Sequence, residues 1–142
     1  MLSPFKPKFV WEESYSIGVP ALDEQHQRLF GLLNKMLNLD KIDPTHALKR
    51  LPGILKQLNE YAAYHLLFEE TLMKQHLEQD AYVVAHFTEH RAYWQRIAEF
   101  EQRIADGDIH AVHGVTVFLD YWWTQHIQKA DRELGIRLNQ DV

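Results

Sequence analysis

Two pairs of chemically active residues stand four apart in otherwise helix-forming stretches: His65 with Glu69 in HLLFEE, and His86 with His90 in HFTEH. Residues four apart share one face of a helix. His26 and His126 join them on the apolar seams of the chain, with Asp131 just beyond His126, making five imidazoles and two carboxylates in all. An unpaired buried carboxylate costs several kcal/mol, and an unsatisfied imidazole about 1–3 kcal/mol more. The net stability of a domain is only about 5–15 kcal/mol. Such a set needs positive charge at its centre. Protonating the histidines would crowd like charges into one cavity. A metal cation instead accepts neutral imidazole and ionised carboxylate together at neutral pH. Seven protein ligands exceed what one transition ion takes, and they fit two ions bridged by carboxylates. Nitrogen and oxygen donors suit iron, manganese or zinc, and a six-coordinate preference favours iron. Zinc, with about four ligands, would leave the set crowded.

The seams show what must position these groups. Residues 1–19 hold two prolines and no helical period, so an extended N-terminal arm is expected. Pro20 suits a first helical turn, and Leu22, His26, Leu29, Leu33 and Met36 predict a helix over about 20–38. A second helix, about 44–75, carries Leu51, Leu55, Leu58, Ala62, His65, Glu69 and Leu72. Pro52-Gly53 predicts a kink in it, or a short helix joined to a longer one. A third, about 80–106, carries Val83, His86, His90, Tyr93, Ile97, Phe100 and Ile104, with Gly107 as its C-terminal cap. A fourth, about 108–129, carries Val112, Val115, Leu119, Trp122 and His126, and residues 130–142 form a tail or short helix. An ideal helix would turn Asp131 about 140° away from His126. The helix is therefore expected to end or bulge there. The fold class is all-α, an up-down-up-down four-helix bundle. In that topology the start of one helix is level with the end of the next. All seven groups then meet in one layer on the order of 15 Å deep.

The bulk composition narrows the rest. A chain of 142 residues fits one domain. Its net charge of -5 offers no basic footprint for nucleic acid or an anionic membrane. The lack of cysteine excludes disulfides, thiolate metal sites and a cysteine nucleophile. No apolar run approaches the ~20 residues of a membrane span, and the first residues do not read as a signal peptide. A soluble cytoplasmic protein is the expectation. His46, His110 and His113, near helix starts, and His76, near a helix end, read as surface residues. Glu70 and Glu89 point off the seams and read as solvated. Asp23 suits a supporting or helix-start role.

The order Asp23-x-x-His26, His65-x-x-x-Glu69-Glu70, His86-x-x-x-His90 and Trp122-x-x-x-His126-Ile127-x-x-x-Asp131, with Trp11 in the arm, resembles the hemerythrins, bacterial ones in particular. The likeness runs from about Trp11 to Asp131. It implies a non-haem di-iron site that binds O2. By that resemblance His86, His90 and His126 would hold one iron and His26 and His65 the other. Glu69, Asp131 and an oxo or hydroxo group would bridge them, and O2 would dock at an open position on the second iron. Leu66, Trp122, Trp123 and Ile127 would wall a dry pocket around it. Two residues depart from the family's usual pattern there: Leu66 replaces a phenylalanine, and Trp123 replaces a leucine. Ligand access and autoxidation are expected to differ accordingly. The implied function is reversible O2 binding, for sensing or for carriage and storage, alone or with a fused or associated signalling output domain. The alternative is a di-iron redox enzyme, with peroxidase, oxidase or nitric oxide chemistry. Ferritin-like di-iron bundles use Glu-x-x-His motifs, and this chain has none. A histidine-rich set also gives iron less negative charge, which favours binding over catalysis.

Overall fold

The computed structural model describes residues 7–140. The first six residues of the expected arm and the last two of the expected tail lie outside the described residues. Helix α1 spans Pro20–Asn38, α2 Pro44–His76, α3 Ala81–Ala105 and α4 His110–Gln125. A π-helical turn, His126–Asp131, leads from α4 into α5, Arg132–Gln140. No strand occurs among the described residues.

Local chemistry sets the helix ends. Pro20 and Pro44 each occupy a first turn, where a missing N–H costs nothing. The Asp43 carboxylate caps α2 by accepting from the His46 N–H at 3.2 Å, and Asp80 caps α3 by accepting from the Val83 N–H at 3.1 Å. Gly107, at φ 78°, closes α3 in the left-handed conformation that favours glycine. Asp23 ties the arm to α1: its carboxylate accepts from the Ser16 hydroxyl at 2.5 Å and the Ile17 N–H at 2.9 Å.

Consecutive helices pack against each other and α1 packs against α4, which closes the bundle. Two apolar clusters fill it. The larger includes Leu29, Leu33, Leu58, Leu66, Tyr93, Ile97, Leu119, Trp123 and Ile127. The smaller consists of Ile17, Leu22, Met73, Val83 and Leu134. Along each helix the polar seam residues fall between the two clusters. His26 lies between Leu22 and Leu29, Glu69 between Leu66 and Met73, and Asp131 between Ile127 and Leu134. The arm covers the smaller cluster. Arg132 donates to the Ser14 carbonyl at 2.7 Å and Asn139 to the Gly18 carbonyl at 3.1 Å.

Two details differ from the sequence reading. Helix α2 is not a short helix joined to a longer one but runs through Pro52 as a single element. Pro52 is exposed and sits above a long buried seam, and packing outweighs the hydrogen bond it cannot donate. Trp123, not Trp122, is the fully buried indole of α4, and Trp122 is half-buried. Of the two forms expected for residues 130–142, the short helix is the one found: the wide turn carries the helix on to Gln140.

Candidate metal centre

The residues singled out in the sequence form one layer. His26, His65, Glu69, His86, His90, His126 and Asp131 converge between the two apolar clusters, and none is more than 3% exposed. Two overlapping donor groups result. Glu69, His86, His90 and His126 form one, and His26, His65, Glu69 and Asp131 the other, each with donor atoms within 4.8 Å of one another. The π-helical turn keeps both His126 and Asp131 buried, although five positions separate them.

The two carboxylates lie across the groups, one oxygen to each side. Glu69 Oε1 is 3.4, 3.2 and 3.5 Å from Nε2 of His86, His90 and His126. Its Oε2 is 3.4 Å from His65 Nε2 and 4.0 Å from His26 Nε2. Asp131 Oδ1 is 3.1 Å from His126 Nε2 and 3.3 Å from His86 Nε2. Its Oδ2 is 3.0 Å from His26 Nε2 and 4.0 Å from His65 Nε2.

Outer contacts settle which ring nitrogens carry protons. His65 Nδ1–H donates to Gln25 Oε1 at 2.8 Å. His90 Nδ1–H donates to Glu70 at 2.7 Å, and His126 Nδ1–H to Glu89 at 3.0 Å. The Tyr82 hydroxyl donates to the Ala130 carbonyl at 2.6 Å, so its oxygen accepts from His86 Nδ1–H at 3.1 Å. A neutral imidazole has one N–H. With that proton outside, four Nε2 lone pairs face inward. His126 Nε2 then lies 3.2 Å from both His86 Nε2 and His90 Nε2 with no proton between them. His65 Nε2, both Glu69 oxygens and Asp131 Oδ1 have no hydrogen-bond partner in the structure. Converging lone pairs and bare carboxylate oxygens in a dry layer are the donor set of a cation site. The residues therefore fit a pair of metal ions.

Without a cation the layer would take up protons. Burial alone would depress the His86 pKa, but the facing carboxylates of Asp131 and Glu69 outweigh it and raise the value to about 9. Burial likewise opposes the charge on His126, and Asp131 and Glu69 overcome it and hold the pKa well above its ordinary value. Burial would push both carboxylates up, yet the facing histidines hold Glu69 and Asp131 below the usual range.

The outer partners were not legible from the seams. Glu70 and Glu89, which read as solvated, accept hydrogen bonds from His90 and His126. Gln25 and Tyr82 carried no expectation at all. The signal lies in the neighbours of the seam. Gln25 precedes His26, Glu70 follows Glu69 and Glu89 precedes His90. A residue one step off the seam is turned about 100° around the helix. It faces the flank, where it reaches a histidine of the next helix. Asp23 takes the helix-start role expected of it. His46 and His113 are exposed and pair with Asp43 and Asp40, away from the layer.

The expected pocket residues are also placed. Leu66, Trp123 and Ile127 are buried in the larger cluster against the layer. The Trp123 ring lies 5.8 Å from that of His65. Trp122 stacks on His126 at 4.3 Å.

A closed four-helix bundle with a buried layer of imidazoles and carboxylates, supplied by α1, α2, α3 and the π-helical turn, defines a protein with a buried donor set able to hold metal. The chain belongs to the hemerythrin family: residues 17–136 match the Hemerythrin HHE cation binding domain. It is 27% identical over 135 residues to a bacteriohemerythrin of Clostridium acetobutylicum, covering 88% of this chain and 97% of that one. It is 26% identical over 136 residues to a bacteriohemerythrin of Stenotrophomonas maltophilia, covering 92% and 84%. Family membership implies non-haem di-iron as the class of cofactor. No described helix is long and apolar enough to cross a membrane.

Proposed function

We propose that the chain binds O2 reversibly at a non-haem di-iron pair, as one domain, and serves oxygen or redox sensing or O2 carriage and storage. The observation that supports this best is the set of inward-facing Nε2 atoms gathered around carboxylate oxygens that lack hydrogen-bond partners. His86, His90 and His126 would hold one iron, His26 and His65 the other, and Glu69 and Asp131 both. A ferrous pair held there would supply the reversible redox chemistry that O2 binding needs.

The chain's own residues do the rest. Gln25, Glu70, Tyr82 and Glu89 keep four imidazoles in the tautomer that presents Nε2. Leu66, Trp123 and Ile127 exclude water from the side of His65 and His126, and Trp122 packs on the His126 ring. Exclusion of water and protons is what makes release of intact O2 possible. Five imidazoles against two carboxylates in the layer supply little negative charge for strongly oxidising chemistry, which supports binding over catalysis.

The visible spectrum of aerobic protein, with iron counted per chain, tests this reading. Two irons and the charge-transfer absorption of a bridged ferric pair are expected. One zinc per chain, or no metal, would overturn it. Hydrogen exchange separates the two uses, since a sensor changes protection between diferrous and diferric forms and a carrier does not.

A further inference from the structure

We propose that the two metal positions are unequal by construction, and that Glu70 and Glu89 make the three-histidine position the tighter and first filled. This inference rests on the reading of the layer as a dinuclear metal site.

The five ligand imidazoles differ in what stands behind them. His90 and His126 donate to carboxylates, Glu70 at 2.7 Å and Glu89 at 3.0 Å. His86 donates to a neutral phenol oxygen, Tyr82. All three belong to the same donor group. On the other side, His65 donates to a neutral amide, Gln25, at 2.8 Å. His26 Nδ1 has no hydrogen-bond partner in the structure.

An imidazole whose N–H is held by a carboxylate is a more basic ligand through its other nitrogen. Two of three ligands gain this on one side, and none on the other. The two anions also add negative charge beside one position only. The Glu70 side chain is 24% exposed and that of Glu89 52%, so water screens Glu70 less, and Glu70 is the stronger contributor. Both are positioning residues that act through the imidazoles they hold. The pair is therefore assembled in order. The first ion enters among His86, His90 and His126, and the second completes the site beside His26 and His65.

The test uses metal-stripped full-length protein titrated with Co(II) without oxygen, followed by calorimetry and visible absorption. Two resolved binding steps are expected. Glu70→Gln and Glu89→Gln keep an acceptor oxygen for the imidazole N–H but remove the charge. Together they should weaken the first step by about 10–100-fold and leave the second within about twofold, with Glu70→Gln giving the larger single effect. Gln25→Glu, which places a carboxylate behind His65, should tighten the second step and narrow the gap. Circular dichroism establishes that each variant is folded. A single step in the parent protein, or equal effects of the double variant on both steps, would overturn the proposal and leave the dinuclear reading standing. Failure to bind cobalt at all would overturn both.

Discussion

On the proposed reading, ligand access turns on Trp123. Its indole is fully buried, faces His65 at 5.8 Å and donates its N–H to the Tyr93 hydroxyl at 3.3 Å. Leu66, on the adjacent helix, is equally buried and smaller. A bulky ring at 123 narrows the apolar approach to the layer. Trp123→Leu should speed both O2 association and autoxidation in stopped-flow measurements, and lower stability by on the order of 2 kcal/mol through the void it leaves. Unchanged rates would show that the indole does not gate the site. The seven layer residues were readable because buried polar groups on an apolar seam conflict with ordinary packing. Glu70 and Glu89 raised no such conflict, since a partly exposed glutamate is ordinary. Their place one step off the seam puts them on the flank, but which histidine of the next helix they meet is a tertiary fact.

Among the elements, the π-helical turn and the arm shape the end of the bundle that holds the layer. The five-residue gap from His126 to Asp131 already required a break or bulge, because a regular helix would turn Asp131 outward. What sequence did not reveal was that the arm packs on the short closing helix α5. Small residues there make the contact possible: a Cβ on Gly135 would lie 1.9 Å from the Ile17 carbonyl oxygen. Gly135→Ala should therefore force the arm from α5 and destabilise the protein by about 1–3 kcal/mol. Gly31, exposed inside α1, has nothing within 4 Å of where a Cβ would stand. Gly31→Ala should stabilise by about 0.5–1 kcal/mol, since alanine is the better helix former. Thermal unfolding of the two variants reads both signs. Equal shifts would mean that the close approach at Gly135 does not hold the arm. Pro52 marks the opposite limit of sequence reading. A proline on an exposed face leaves the buried face of α2 intact, so its local cost did not divide the helix.

At the scale of the whole molecule, the cation pair belongs to the folding energetics. Apolar packing on both sides of the layer leaves its charges unsolvated, so metal removal must either loosen the bundle or draw protons in. The His86 pKa rises to about 9 in the metal-free fold, against an ordinary 6.5. Its proton then stabilises the fold fully below pH 6.5, and that contribution is lost as pH rises through 9. Metal-stripped protein should have a lower unfolding temperature at pH 9.5 than at pH 6. Loaded protein should not show that fall, because the metal occupies the place of the proton. Parallel profiles for the two forms would contradict this linkage. The all-α bundle was legible in outline because four seams with short connections admit few arrangements. The larger apolar cluster follows the seams, but the smaller one was not legible as a unit, because it is completed by Ile17 of the arm and Leu134 of α5.

An anomalous difference map at the iron edge, from crystals of iron-loaded protein, tests whether this layer holds an iron pair. Two iron peaks inside the layer are expected. One lies among the Nε2 atoms of His86, His90 and His126, the other beside those of His26 and His65, with Glu69 and Asp131 reaching both. A single peak, none, or peaks outside this layer would contradict it.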